Sequence, residues 1–249
     1  MLRNPKFKEK QYAEALTDTF YEIDELLLKP ENKKELRLFK GEKGEKPGAK
    51  PNTSEKKSDS VAAKENDEPF ESTAGCTANV ALIVGNDIYV ANAGDSRCVI
   101  GEGGKFEELS IDHKPDNEGE KARIIKAGGS VFNGRVNGNL SLSRALGDFD
   151  YKGHANLKKD EQLITATPEI KHKALSAASE FLILGCDGIW ETLPSEKIAD
   201  FVREKLAEKK NLKDVVESLM DTLLAKDTTG SVVFLYFFEV LRFLFVINR

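Results

Sequence analysis

Acidic residues beside glycine are the chain's most suggestive feature. Asp95 follows Gly94 in the string AGDSR, and Asp148 and Asp150 lie in SRALGDFDYK. Asp187 follows an apolar run in CDGIWE, with Glu191 four residues further on. A carboxylate at the end of a buried strand is costly unless a cation or hydrogen-bond donors meet it. All-oxygen sites of this kind suit hard divalent ions such as magnesium or manganese. A plainer reading competes at each position, because Asp commonly accepts backbone N–H bonds in tight turns. Taken singly, the turn reading is the stronger; several such residues in one domain shift the balance only modestly.

Softer metal chemistry is disfavoured. Cys76, Cys98 and Cys186 are widely spaced and sit in apolar runs. They read as buried free thiols of a reducing compartment, not as a disulfide framework or a zinc site. His113, His154 and His172 pair neither with a cysteine nor with one another at ligand spacing. With 37 basic against 42 acidic residues the net charge is −5, which argues against a nucleic-acid partner. The start MLRNPKFKEK has no apolar core of a secretory signal. The expected location is the cytoplasm, with the nucleus as the alternative.

Periodicity supplies the elements that hold these residues. Tyr12, Leu16, Phe20, Ile23 and Leu27 recur at helical spacing, an amphipathic helix for packing on a sheet. Residues 31–71 are rich in Lys, Glu, Gly, Pro and Ser and read as a flexible charged insert. Residues 81–84 and 88–92 form a hairpin about an Asn86–Asp87 centre, and 97–100 continue as a strand. A helix over 121–127 has Asn117 as its cap and Gly128 as its stop. The run 181–184, ending at Gly185, reads as a central strand. Two amphipathic helices follow: Ser195 caps one facing inward through Ile198, Phe201, Val202 and Leu206, and Leu212, Val215, Val216, Leu219 and Leu223 line the other. The apolar run VVFLYFFEVLRFLFVI, broken by Glu239 and Arg242, is shorter than the roughly 20 residues of a spanning helix. A core strand with an apolar extension is favoured there over a membrane anchor. Hairpins first and helices later make an α+β layered fold.

Five strings then matter together: GCTANVALI, IYVANAGDSRCVI, DHKPDNEGEKARIIKAGGSV, RVNGNLSLSRALGDFDYK and LILGCDGIWETLPSEKIADFV. In order and spacing they resemble the signature blocks of the protein phosphatase 2C family, over about 72–224. The resemblance implies a β-sandwich flanked by helices in α-β-β-α layers, incomplete here. It implies a phosphatase core over 72–231, with 1–30 as its N-terminal helix and 232–249 as an apolar strand or tail. It further implies Mg²⁺ or Mn²⁺ at one end of the sandwich, activating a water that hydrolyses phosphoserine and phosphothreonine. A monomer acting on phosphoprotein substrates is expected. Asp187 corresponds to a direct metal ligand and Asp95 to a carboxylate near a third, weaker ion. Glu191 stands where the family usually has Asp, which makes it the altered member of the set. Gly75 and Thr77 fall in a small-residue strand block and read as structural, and Arg97 and Arg144 read as braces of turns.

The family's D-G-H-G-G string, its phosphate-binding Arg and its C-terminal D-N motif have no counterpart here. Asp227 lies ahead of the last of these and is not promoted to ligand. On this reading the chain as written binds metal poorly. Either it is an incomplete product whose true ends carry these motifs, or it is an inactive relative that keeps the fold for binding phosphoproteins. The losses sit at the two ends, which favours the first.

Overall fold

The structure is a computed structural model and describes residues 1–32, 74–208 and 211–226, together with the backbone strand 244–248. Two helices open the chain, α1 (Pro5–Lys8) and α2 (Tyr12–Leu28). Then come β1 (Gly75–Val84), β2 (Asp87–Ala93), β3 (Arg97–Glu102) and β4 (Lys105–Glu108). Helix α3 (Glu118–Lys126) precedes the short strands β5 (Val131–Phe132), β6 (Arg135–Val136) and β7 (Leu146–Gly147). Strands β8 (Glu169–Ala174) and β9 (Ser179–Gly185) lead into α4 (Asp187–Trp190), α5 (Ser195–Ala207), α6 (Leu212–Leu224) and β10 (Leu244–Asn248).

Two sheets result. One runs β10-β1-β2-β8, with β7 added to β1, and the other runs β4-β3-β9. Side-chain alternation along each strand builds the layers. Val80 and Leu82 face α2 through Leu16 and Phe20, whereas Ala81 joins Ile88, Val90, Cys98, Ile100, Leu182 and Leu184 between the sheets. On the second sheet, Val99, Phe181 and Ile183 turn outward to Ile198, Val202, Val215, Leu219 and Leu223 of α5 and α6. The order is therefore helix, sheet, sheet, helices, as expected of an α+β sandwich. Fully burying one of these leucines contributes about 2 kcal/mol.

Several local expectations shift. The hairpin loop is Gly85–Asn86, closed by the pair Val84 and Asp87, so its centre lies one residue earlier than the sequence suggested. Gly85 sits at φ +59, the first position of a two-residue loop where a side chain is disfavoured. Asn117 precedes α3 without bonding its N-terminus; its amide donates to the Asp112 carbonyl instead. Gly128, at φ +87, does end that helix. Ser195 is the first residue of α5, not its cap, and its hydroxyl serves Glu108 and Arg97. Leu212 is 40% exposed at the start of α6 rather than inward. Among the described residues β9 pairs with β3 alone, and Phe181 to Leu184 are buried in the core.

Of the expected charged insert, only Glu31 and Asn32 are described, and both are helical; 33–71 lie outside the described residues. In the C-terminal run, 244–248 form a strand whose Ile247 pairs with Ala78, while 232–243 and Asp227 lie outside them. No helix among the described residues is long and apolar enough to cross a membrane.

Candidate active site

Strand ends bring the acidic residues together. Asp95 follows the C-terminal end of β2, and Asp187 follows that of β9, one residue beyond Cys186. Because β3 pairs antiparallel with β9 from Arg97 opposite Gly185, both carboxylates fall at the same end of the sandwich. Asp95 is 3% exposed. Burial pushes its carboxyl pKa up, the Lys114 ammonium pulls it back, and the charge of Asp187 pushes it up again. Asp187 Oδ1 accepts the Gly188 N–H at 2.8 Å, on the first turn of α4.

The sequence reading missed Lys114. Its ammonium donates to Asp95 Oδ2 and reaches Glu191 Oε1 at 3.4 Å, so a positive charge already bridges two of the three candidate carboxylates. Burial works to lower the Lys114 pKa, yet the bond to Asp95 and the charges of Asp95, Glu191 and Asp112 raise it overall. Burial of Asp95 thus works against an ion pair that Lys114 favours. Nineteen residues separate Asp95 from Lys114. No local spacing rule links them.

Asp148 belongs elsewhere. It adopts a left-handed backbone at φ +50, its N–H donates to the Ala74 carbonyl, and its charged neighbours are Lys152, Asp24 and Asp150. Gly75 leaves room for it, since a Cβ there would lie 2.1 Å from Asp148 Oδ2. Thr77 bonds Ser96 through their hydroxyls at 2.8 Å. Both positions are structural, as the sequence suggested.

The two arginines are braces. Arg97 Nε and Nη2 donate to the two Asp112 oxygens at 2.9 Å each, and Nη1 donates to Glu108 and Ser195. Its guanidinium also lies 5.5 Å from the Trp190 ring centroid, and the Trp190 indole donates to the Gly185 carbonyl. Arg144 grips Glu120 through Nε and Nη2 and donates from Nη1 to the Thr167 carbonyl.

Behind the acidic end lies a buried polar chain. Asn79 Nδ2 donates to Asn92 Oδ1, and Asn92 Nδ2 donates to the carbonyls of Gly94 and Ile111. His113 is 2% exposed, and burial together with the charge of Arg144 lowers its pKa to about 4. The folded ring stays neutral where an unfolded one, near 6.5, takes up a proton. Stability should therefore fall as the pH drops from 6.5 toward 4, the window in which the unfolded chain binds the extra proton. Urea titrations at pH 7 and pH 5 should show a lower midpoint at pH 5, with the difference reduced in His113→Asn.

Magnesium or manganese would meet donors of the right kind here, oxygens only, on Asp95 and Asp187 with Glu191 near. They fall short in number. Among the described residues no three or more His, Cys, Asp or Glu side chains gather as a metal cluster.

Comparison with known proteins places these features. The family model for protein phosphatase 2C matches residues 4–232. A probable protein phosphatase 2C 6 of Paramecium tetraurelia is 46% identical over 229 residues, covering 92% of this chain and 69% of the relative. The protein phosphatase 2C homolog 2 of Aspergillus fumigatus is 50% identical over 163 residues, 65% of this chain and 38% of its own. Among solved structures, a phosphatase from Toxoplasma gondii aligns at a TM-score of 0.55 and 33% identity, over 66% of this chain and 52% of that one. A serine-threonine phosphatase 2C from the same organism aligns at 0.61 over 92% of this chain and 69% of that one, at 21% identity, a likeness of fold. The chain thus spans about half of the first of these structures and about two thirds of the Paramecium relative. Layer order, strand-end carboxylates and these matches agree: the chain belongs to the protein phosphatase 2C family of protein-serine/threonine phosphatases.

Proposed function

We propose that the acidic end of the sandwich is the place where phosphoserine and phosphothreonine of phosphoprotein substrates are hydrolysed, with Mg²⁺ or Mn²⁺ bound by Asp187 and Asp95 and with Glu191 beside them. The observation that carries this reading is the convergence of Asp95 and Asp187 at one end of the sandwich, set by the pairing of Arg97 with Gly185. A divalent ion bound there supplies a water of lowered pKa and offsets phosphoryl charge. The chain's own residues set the frame. The Gly188 N–H orients Asp187, and Lys114 offsets the charge of Asp95 and Glu191. The Lys114 ammonium already occupies Asp95 and reaches Glu191, so a divalent ion held there would have to compete with it.

Release of phosphate from a phosphothreonine peptide, followed against manganese concentration, tests the proposal. Because the described carboxylates are few, wild-type chain should release phosphate only at high manganese concentration, and Asp187→Asn should lower the rate at least about a hundredfold, the scale of losing a group that stabilises the transition state. No release at saturating manganese would overturn it and leave the chain a binding module. A reducing compartment such as the cytoplasm suits Cys98, a buried free thiol.

A further inference from the structure

The buried polar chain behind the acidic end contains a two-point clamp. The His113 N–H donates to the Gly94 carbonyl at 2.9 Å. The Gly94 N–H in turn donates to His113 Nδ1 at 3.2 Å. Backbone and ring of one residue thus hold the two peptide units on either side of the Gly94 Cα, Gly94–Asp95 through its carbonyl and Ala93–Gly94 through its N–H. The residues that follow the two clamp members, Asp95 and Lys114, are themselves ion-pair partners. The clamp therefore fixes the register in which the buried carboxylate meets its ammonium.

Surrounding contacts leave His113 little freedom. Its carbonyl accepts from Ser143 N–H at 3.2 Å and lies 2.8 Å from Ser143 Oγ. Its Nε2 lies 3.6 Å from Glu169 Oε2 and has no hydrogen-bond partner among the described residues. Nδ1 can accept only if the ring proton sits on Nε2, so the clamp requires one tautomer. We propose that His113 is a positioning residue of the acidic site, its Nδ1 holding the Gly94 peptide so that Asp95 stays against Lys114. Its bearing on catalysis rests on the function proposed above; the clamp itself can be tested without any turnover.

The ring acceptor matters because Gly94 sits at φ +124 and is packed on Thr77. A buried N–H that loses its acceptor is costly, and the Ala93–Gly94 peptide can relieve that cost by turning toward water. Turning it changes φ at Gly94, and with it the direction in which the chain enters Asp95. Asparagine carries an acceptor, Oδ1, at the same number of bonds from Cβ as Nδ1. Phenylalanine keeps the ring and removes the acceptor. Glutamine carries its amide one bond further out, at the reach of Nε2. A packing role would be preserved best by phenylalanine, a clamp by asparagine. The two roles predict opposite rankings.

Two readouts on the full chain decide between them: exchange of the Gly94 amide, and native-state acylation of Lys114 by an amine-reactive ester, both quantified by peptide mass spectrometry. His113→Phe and His113→Gln should each speed both about tenfold, the equivalent of losing roughly 1.4 kcal/mol. His113→Asn should stay within about twofold of wild type. Wild-type rates in His113→Phe, or an equal rise in His113→Asn, would overturn the proposal. A long-range ¹H–¹⁵N spectrum of the wild-type chain decides independently of whether the variants fold. An unprotonated Nδ1 on His113 is expected, and a proton found there would sink the clamp. Phosphate release that fails while these rankings hold would count against the proposed function and leave the clamp standing.

Discussion

Glu120→Ala should lower the unfolding free energy by about 3–5 kcal/mol, the range for breaking a buried pair from one side. Glu120 lies on the first turn of α3 with its side chain 8% exposed. Its Oε1 accepts from Arg144 Nη2 at 2.6 Å, and its Oε2 accepts from Arg123 Nη1 at 2.7 Å. Ser143 Oγ approaches the same Oε2 at 2.6 Å. Alanine leaves two largely buried guanidinium groups facing each other with no anion between them. Arg123 keeps only carbonyl partners, at Gln162, Ser143 and Leu163.

The same residue sets an acid limit. Burial works against its charge, but Arg144 and Arg123 outweigh it and hold the carboxyl at about 2. Its folded pKa is depressed, so its contribution is complete above the unfolded value near 4.5 and is lost as the pH falls toward 2. Over that window the loss amounts to about 3 kcal/mol. Denaturant midpoints recorded from pH 5 to pH 2 should fall steeply in the wild type and more gently in Glu120→Ala. Parallel curves would show that the triad contributes no pH-linked stability.

Gly94→Ala should be comparably damaging for a different reason. A Cβ at Gly94 would come within 2.5 Å of Thr77 Cγ2 and 3.1 Å of Thr77 Cα, and the backbone is at φ +124. Strain of about 1–3 kcal/mol adds to an overpacking cost of similar size, for a total near 4 kcal/mol. Thr77→Ser removes the offending methyl and keeps the hydroxyl that meets Ser96. Thr77 Cβ, 2.6 Å from the added carbon, remains in serine, so the double variant should recover only a fraction of the packing part and none of the backbone part. Thermal and denaturant midpoints of the two single variants and the double variant measure that division. Full recovery would mean that φ +124 carries no strain for alanine.

Much of the fold was legible because burial on one face imposes a short period. The strands around Val80, Val99 and Ile183, and the helices carrying Ile198 and Leu219, follow from alternation and helical spacing. Details governed by single side-chain bonds did not follow. Ser195 looks like a cap until its hydroxyl is seen to be taken by Glu108, a residue 87 positions away. Leu212 fits the apolar stripe of its helix but sits on the first turn, beyond the reach of the core.

The site was half legible for a related reason. Asp95 and Asp187 announce themselves by ending apolar runs at glycine, a local signal. Lys114, His113 and Glu120 do not, since each acquires its meaning from partners on other elements. Charge on Glu120 even argues for exposure in the sequence, whereas two arginines bury it.

Trp190 is the chain's only tryptophan, which gives the cation contact described above an optical consequence. The indole is 7% exposed, lies beneath the Arg97 guanidinium and is anchored by its N–H to Gly185. Asp187 and Glu191 flank it on the same short helical turn. Its emission therefore comes from one site alone, with no second indole to dilute the signal. Any charge arriving at those carboxylates changes the field across the ring, so the chain carries its own fluorescent gauge of what binds at the acidic end.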